Sequence, residues 1–472
     1  MQEYSCKTEG YMSEWMERWI EPKNQIDESR KRFSNHQLFR MMIPLFIEQL
    51  LLMVVGLADT MMVSHAGEAT VSGVSLDTMI YTIFILIFSS LGAGGGVIVA
   101  QYIGRNDREN GNTAASQVFL VSFSISIFLM ILLLLGGNTI LHLLYPGVDP
   151  AVMEACRTYL WIVTLSFPAN AVYNAGTALY RSMGKTSVTM RVSMMMNVIN
   201  IVGNAIGIFV LHAGAAGVAW PTTISWYAAA FVMTYLCFSS ENMVHIEWKK
   251  IFTVNREMIS RIMSVAVPNA VEGGLFQLAK VVLGSLIATF GTAQIAANGI
   301  GQTIWSLAAV VVSSMSPIFI TVIGQCIGAR DTEAARYYLW KLLRMTTALT
   351  FVWNILVLLA LPLLLPLYDI SEETRHLLII IVIIHNVFCG TIGAFFGPMS
   401  AGFRAAGDVK FTMYVSIFCT VIFRTSMSFL LCSGFRMGVI GIAIAMVMDW
   451  SLKGIILMIR ERSGKWLSHQ LI

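Results

Sequence analysis

The stretch "IPLFIE" at Ile43–Glu48 returns as "VPNAVE" at Val267–Glu272, 224 residues later (268 − 44). At the same spacing "AQYIGRND", from Ala100 to Asp107, is echoed by "GQCIGARD", from Gly324 to Asp331. Arg181 and Gly184 return as Arg404 and Gly407, and the Gly-x-x-Gly of Gly214 and Gly217 returns as that of Gly438 and Gly441. Landmarks matched in the same order mark an internal duplication. The segments between them are apolar runs near 20 residues, each long enough to cross a hydrocarbon core of about 30 Å as a helix. Twelve are read, at 38–63, 74–103, 113–135, 156–178, 190–211 and 215–237, then 262–289, 296–325, 342–366, 375–400, 411–432 and 438–458.

The composition demands lipid as solvent: of 472 residues, 56% are hydrophobic and 12% charged, the latter roughly half the share found in soluble domains. A spanning helix satisfies its own backbone polar groups, so helices are expected over a barrel. The expected fold is an all-α integral membrane protein of twelve transmembrane helices, arranged as two six-helix lobes in a parallel tandem repeat. Residues 1–36 form a cytoplasmic tail, 37–238 the N-lobe, 239–261 a cytoplasmic linker, 262–460 the C-lobe and 461–472 a second cytoplasmic tail. An even number of spans per repeat relates the halves by an axis along the membrane normal.

Orientation follows the positive residues. Arg105, Arg108, Arg181, Lys185, Lys249 and Arg330 are among the many that fall on the side of the N-terminal tail, against Arg157, Arg375 and Arg436 on the other. Both termini of this multi-pass cell-membrane protein are therefore expected in the cytoplasm. The first 36 residues mix acids and bases without the pattern of a cleaved signal; Trp15 and Trp19 suit a helix lying on the membrane surface. The net charge of +4 is scattered between apolar runs, so no nucleic-acid partner is expected. Seven cysteines lack CxxC spacing, which gives neither a metal site nor a disulfide framework. No GxxxxGK[ST] loop supports ATP hydrolysis, and no histidine is followed by Asp after four residues, which argues against a membrane acyltransferase. The chain is not expected to be an enzyme.

The motifs "GLADTMMVSHAGEATVSGVSL", "AQYIGRND", "ALYRSMGKT", "NVINIVGNAIGIF" and "GAAGVAWPTTIS" resemble the multidrug and toxic compound extrusion (MATE) family of the MOP flippase superfamily, over about Ser34 to Arg462. The competing major facilitator fold carries a G-x-x-x-D-R/K-x-G-R/K-R/K loop after its second helix, and "GRNDRENGN" breaks that spacing. The resemblance implies a bacterial cation-coupled antiporter in which H+ or Na+ enters as a small, amphiphilic, often cationic substrate leaves.

Ionisable groups in mid-membrane cost roughly 2.5–3.5 kcal/mol each on insertion scales and are functional candidates by default. Glu48 and Asp59 share one face of the first helix, being 11 residues and hence only about 20° apart in rotation. No Lys or Arg lies deep in an N-half span. In the C-half, Glu272 and Asp449 are matched in number by Lys280 and Arg424, for which pairing within the lobe is expected. Glu48 and Glu272 are read as hydrogen-bonding partners near the bent turns at Pro44 and Pro268, Asp77 as solvated at the outer interface, and His385 as bonded to a neighbour.

The resemblance sharpens this. It implies Asp59 as the cation-coupling acid, with Asn174, Asn200 and Thr222 around it. The fifth-helix aspartate of that branch falls here at Asn204, which keeps an oxygen ligand but carries no proton. The acids that another branch places on helices seven and ten fall at Phe276 and Gly393. No cofactor is expected beyond the coupling ion, and no metal beyond sodium at Asp59. The expected partners are a small-molecule substrate and the lipid bilayer, with the monomer as the functional unit. The alternative is a flippase or exporter of a lipid-linked or anionic compound, with Lys280 and Arg424 in its cavity.

Overall fold

A computed structural model describes residues 20–22, 25–368, 370–469 and 471–472; Trp15 and Trp19 lie outside them. Among the described residues the chain is helical, with no strand. Helix α1, Asn35–Ser64, begins at a capping box in which Ser34 and Gln37 each accept from the other's backbone N–H, satisfying two of the otherwise orphan donors of its first turn. Then come α2 (Glu68–Gly104), α3 (Arg108–Leu144), α4 in two pieces (α4a Pro150–Thr164, α4b Phe167–Ser182), α5 (Thr186–Val210) and α6 (Gly214–Cys237). The second repeat gives α7 (Arg256–Ala288), α8 in two pieces (Thr292–Ala308, Val310–Gly328) and α9 (Thr332–Leu364). It closes with α10 (Glu372–Gly393, continuing through Met399–Ala405), α11 (Val409–Gly434) and α12 (Val439–Arg462). Among the described residues ten helices are long and apolar enough to span a membrane; α6 and the broken α4 make the twelve.

The break in α4 falls at Leu165 and Ser166. Pro168 has no N–H to donate, and its ring crowds the carbonyl four residues back, that of Thr164, the last residue of α4a. The sequence reading ended this helix at 178; it runs to Ser182 and so carries Arg181 inside it.

The duplicated "GRND" and "GARD" segments are the same device twice. Asn106 and Arg330 adopt positive φ (60° and 59°), turning the chain so that Asp107 and Asp331 cap the helices that follow, accepting from the Asn110 and Ala334 amides at 3.1 and 2.9 Å. The glycines before them let α2 and α8 cross. A Cβ on Gly104 would stand 2.0 Å from the Gln325 carbonyl oxygen, and one on Gly328 would stand 1.8 Å from that of Gln101. Gln101 Nε2 donates to the Ala405 carbonyl at the end of α10 (2.8 Å), and its repeat mate Gln325 donates to the Ser182 carbonyl at the end of α4 (2.9 Å). Each lobe therefore reaches across to a helix end of the other, around a pseudo-twofold axis.

The linker lies against the start of α3. Gln117 Nε2 donates to the Lys250 and Thr253 carbonyls at 2.7 and 2.9 Å, and Asn112 Nδ2 to Glu247 Oε1 at 2.7 Å. The segment before α1 crosses instead to the C-lobe, where Arg30 pairs with Asp331 and Glu333 and Glu21 with Lys341.

Candidate coupling site and central cavity

Asp59 sits near the end of α1 opposite the termini, half-buried against α5. Asn204 Nδ2 donates to its Oδ1 at 2.8 Å. The side-chain amide of Asn200, one turn earlier on α5, presents one end 3.1 Å from each Asp59 oxygen and the other end 3.1 Å from Thr222 Oγ1 on α6. Three of the four polar residues expected around Asp59 are thus gathered by α5 and α6. Asn174 is not with them: its amide donates to Asn170 at 2.9 Å, and it lines the cavity between the lobes. Among the described residues no Lys or Arg pairs with Asp59.

Glu48 differs from its expected role as a hydrogen-bonding partner at a bent turn. Its Oε1 pairs with Arg181 Nη2 at 2.9 Å and its Oε2 accepts from Thr189 at 3.3 Å. The repeat reproduces this pair: Arg404 Nη1 lies 3.2 Å from Glu272 Oε2, and Lys453 Nζ lies 3.5 Å from the other oxygen. Both arginines fall beyond the expected spans 156–178 and 375–400, and the extended ends of α4 and α10 bring them in.

Arg424 and Asp449 pair as expected, Nη2 to Oδ2 at 2.6 Å and Nε to the same oxygen at 2.7 Å, both nearly inaccessible. A π-helical turn at Ile417–Phe423 immediately precedes Arg424; such bulges re-aim the side chains that follow. Lys280 departs from expectation, since among the described residues no carboxylate pairs with it. Its ammonium stands over the Phe276 ring at 5.0 Å, and the Arg424 guanidinium over the same ring at 5.7 Å.

Two further readings need correction. Asp77 is not solvated: it is fully buried between α2 and α4a, and neither carboxylate oxygen has a hydrogen-bond partner among the described residues. Among the described residues His385 has no hydrogen-bond partner for either ring nitrogen and instead meets Trp305 edge-on at 5.2 Å. The six described cysteines are free and buried, and no cluster of His, Cys, Asp and Glu suits a metal among the described residues.

Two adjoining cavities lie between the lobes. One, of about 390 Å³, is lined by Gln49, Asn174, Arg181, Pro317 and Arg404 among others. The second, of about 300 Å³, opens toward the C-lobe and is lined by Asn269, Phe276, Arg404, Thr420, Trp450 and Lys453. They share Ser89, Asn269 and Arg404.

Comparison with known proteins agrees with this architecture. The MatE family model matches the chain twice, over 44–206 and 268–430, the same 224-residue repeat read above. The uncharacterized transporter YisQ of Bacillus subtilis (strain 168) is 27% identical over 439 residues, covering 91% of this chain and 94% of that protein. A probable multidrug resistance protein NorM of Thermotoga maritima is 23% identical over 463 residues, covering 94% and 95%. A solved structure described as the outward-facing conformation of a multidrug resistance MATE family transporter of the MOP superfamily superposes with a TM-score of 0.85. It has 21% identity and covers 91% of this chain and 96% of that one. With both repeats matched and the two-lobe helical fold reproduced, the chain belongs to the MatE family, the multidrug and toxic compound extrusion transporters.

Proposed function

We propose that this transporter is a secondary-active antiporter, in which H+ or Na+ entering at Asp59 drives an amphiphilic small molecule out of the cell by alternating access, with both termini cytoplasmic and the monomer sufficient. The multidrug resistance relatives support the export of small molecules. What supports the coupling role is one observation: among the described residues Asp59 has amide partners and no cationic one.

The geometry gives Asp59, Asn200 and Thr222 two alternative hydrogen-bonding states. When Asp59 is a carboxylate, the Asn200 nitrogen donates to it and the Asn200 oxygen accepts from Thr222 Oγ1, both at 3.1 Å. When Asp59 carries a proton, it donates to the Asn200 oxygen at that same distance; the Asn200 nitrogen then donates to Thr222 Oγ1, whose hydroxyl donates to the Val218 carbonyl at 2.9 Å. Asn204 donates to Asp59 in both. Reversal of one amide transmits the loading of α1 to α6, and a carboxylate flanked by amide and hydroxyl oxygens also suits Na+. Neutralisation shifts the lobe between helix packings only by the difference in its interactions in each.

The test is ethidium efflux from proteoliposomes under a sodium gradient and, separately, a pH gradient. Efflux driven by one or both is expected; efflux indifferent to both would overturn the antiporter reading.

A further inference from the structure

The two lobes have diverged in charge around the central cavities. In the C-lobe, Glu272 faces Arg404 and Lys453, and Asp449 faces Arg424 with Lys280 beside it, which makes two acids against four bases. The duplication shows which of these charges are special to this lobe. Glu272 and Arg404 have charged mates in Glu48 and Arg181, whereas at the 224-residue spacing Lys280, Arg424 and Lys453 correspond to Gly56, Asn200 and Ala229. In the other direction Asp59 and Asp77 correspond to Leu283 and Gly301. The N-lobe keeps surplus acid and the C-lobe surplus base.

That surplus sits on a built wall. Asn269, Phe276 and Lys280 fall within about 40° of one another around α7; the first two line the 300 Å³ cavity, and the Lys280 ammonium stands over the Phe276 ring at 5.0 Å. Trp450 and Lys453 line it from one turn of α12. Glu272 is shared by two cations, Arg404 at 3.2 Å and Lys453 at 3.5 Å, so one of them can turn to a ligand while the other keeps the acid paired. The Lys453 ammonium therefore lies within a pocket walled by Phe276 and Trp450, with the Lys280 ammonium beside it on the Phe276 ring.

We propose that this C-lobe cavity binds the oxyanion of an amphiphilic organic phosphate, with Lys453 and Lys280 contacting the phosphate and the Phe276 and Trp450 rings taking its flat or apolar part. The inference goes beyond the transporter reading by adding an anionic ligand class, held on the C-lobe side, to the cationic amphiphiles that the efflux test probes, and it rests on that reading for its physiological sense. A flat ring bearing one phosphate is within the size range of such a pocket. Ammonium groups bind phosphate oxygens by charge-assisted hydrogen bonds, and two surplus cations select an anion over its neutral parent.

The test is a binding measurement that needs no gradient, so its failure is distinguishable from failure of ion coupling. The probe is 4-methylumbelliferyl phosphate, with neutral 4-methylumbelliferone as control, titrated into the full chain in phosphatidylcholine nanodiscs and read by quenching of tryptophan emission. The expected result is binding of the phosphate ester well above the neutral compound. Binding should fall about tenfold or more in Lys453→Gln, the loss of one hydrogen bond to a charged group, and return in Lys453→Arg. Glu272 keeps Arg404 in both variants, so neither strips a buried acid of its partner. Nanodiscs containing phosphatidylglycerol separate the sources of phosphate: loss of ester binding there identifies a lipid headgroup as occupant, and retention identifies a soluble one. Equal binding of ester and neutral parent by the wild type would overturn the proposal, as would unchanged affinity in both Lys453→Gln and Lys280→Gln.

Discussion

Replacing Gln101 and Gln325 together by Ala should loosen the closure of the lobes on the side of the termini. Each side chain makes one hydrogen bond to a helix-end carbonyl of the opposite lobe, at 2.8 and 2.9 Å. A net contribution of about 1 kcal/mol each makes the pair worth about 2 kcal/mol, or roughly thirtyfold in the ratio of closed to open lobes. The carbonyls of Ser182 and Ala405 lie at helix ends, so water can satisfy them once the lobes part and the cost falls on closure rather than on folding. Gly328→Ala should act more strongly, because its Cβ would sit 1.8 Å from the Gln101 oxygen, a backbone atom that can yield only if α2 and α8 separate. Spin labels at Glu109→Cys and Thr332→Cys, at the starts of α3 and α9 in a background lacking other cysteines, report the separation. A single short distance is expected with Gln101 and Gln325 present, and a longer component in both variants. A distance distribution unchanged by Gly328→Ala would refute the account of the crossing.

Arg424→Met should destabilise the protein by about 3–5 kcal/mol, the cost of leaving a buried charge without its partner, because Asp449 is fully buried against it. Thermal unfolding followed by fluorescence-detected size exclusion checks this, and Arg424→Met with Asp449→Leu should recover most of the loss. The segment before α1 should stay docked on the C-lobe at neutral pH and release only in acid. Burial raises Asp331 and Glu21, but bonds from Arg30 to the first and from Lys341 and Tyr337 to the second outweigh it and hold both below their ordinary values. Docking from such depressed carboxyls is complete above their free values of about 3.9 and 4.3 and is lost as pH falls through the depressed ones. Bimane at Gln25→Cys, which lines a pocket with Trp340, should be quenched at pH 7 and released only below about pH 4; release at neutral pH would contradict the assignment.

The fold was largely legible in the sequence because the duplication and the apolar runs are both properties of spacing. The polar set at Asp59 was legible through the family resemblance, which pointed to Asn200, Asn204 and Thr222; helix spacing adds that Asn200 and Asn204 lie one turn apart on one face. What escaped depended on where helices end and how they pack. Arg181 reaches Glu48 only because α4 continues four residues past the apolar run that marks it, and the break at Pro168 is invisible to a hydropathy window. Asp77 lies only ten residues into α2, which looks interfacial in sequence, but α4a covers it completely. Lys453 carried a signal that could have been used: it stands one turn from Asp449 within an apolar span, yet charge balance counted by lobe does not say which acid it serves. Asn174 matched by spacing and is separated from Asp59 by packing alone.

The central claim is that Asp59 couples ion entry to export, and Asp59→Asn tests it most directly because it keeps size and hydrogen bonding while removing the charge and the titratable proton. The measurement is gradient-driven ethidium efflux from proteoliposomes, with ethidium binding to the same preparation measured in parallel. The account predicts retained binding with efflux reduced to the leak observed without a gradient. Full gradient-driven efflux by Asp59→Asn would contradict it.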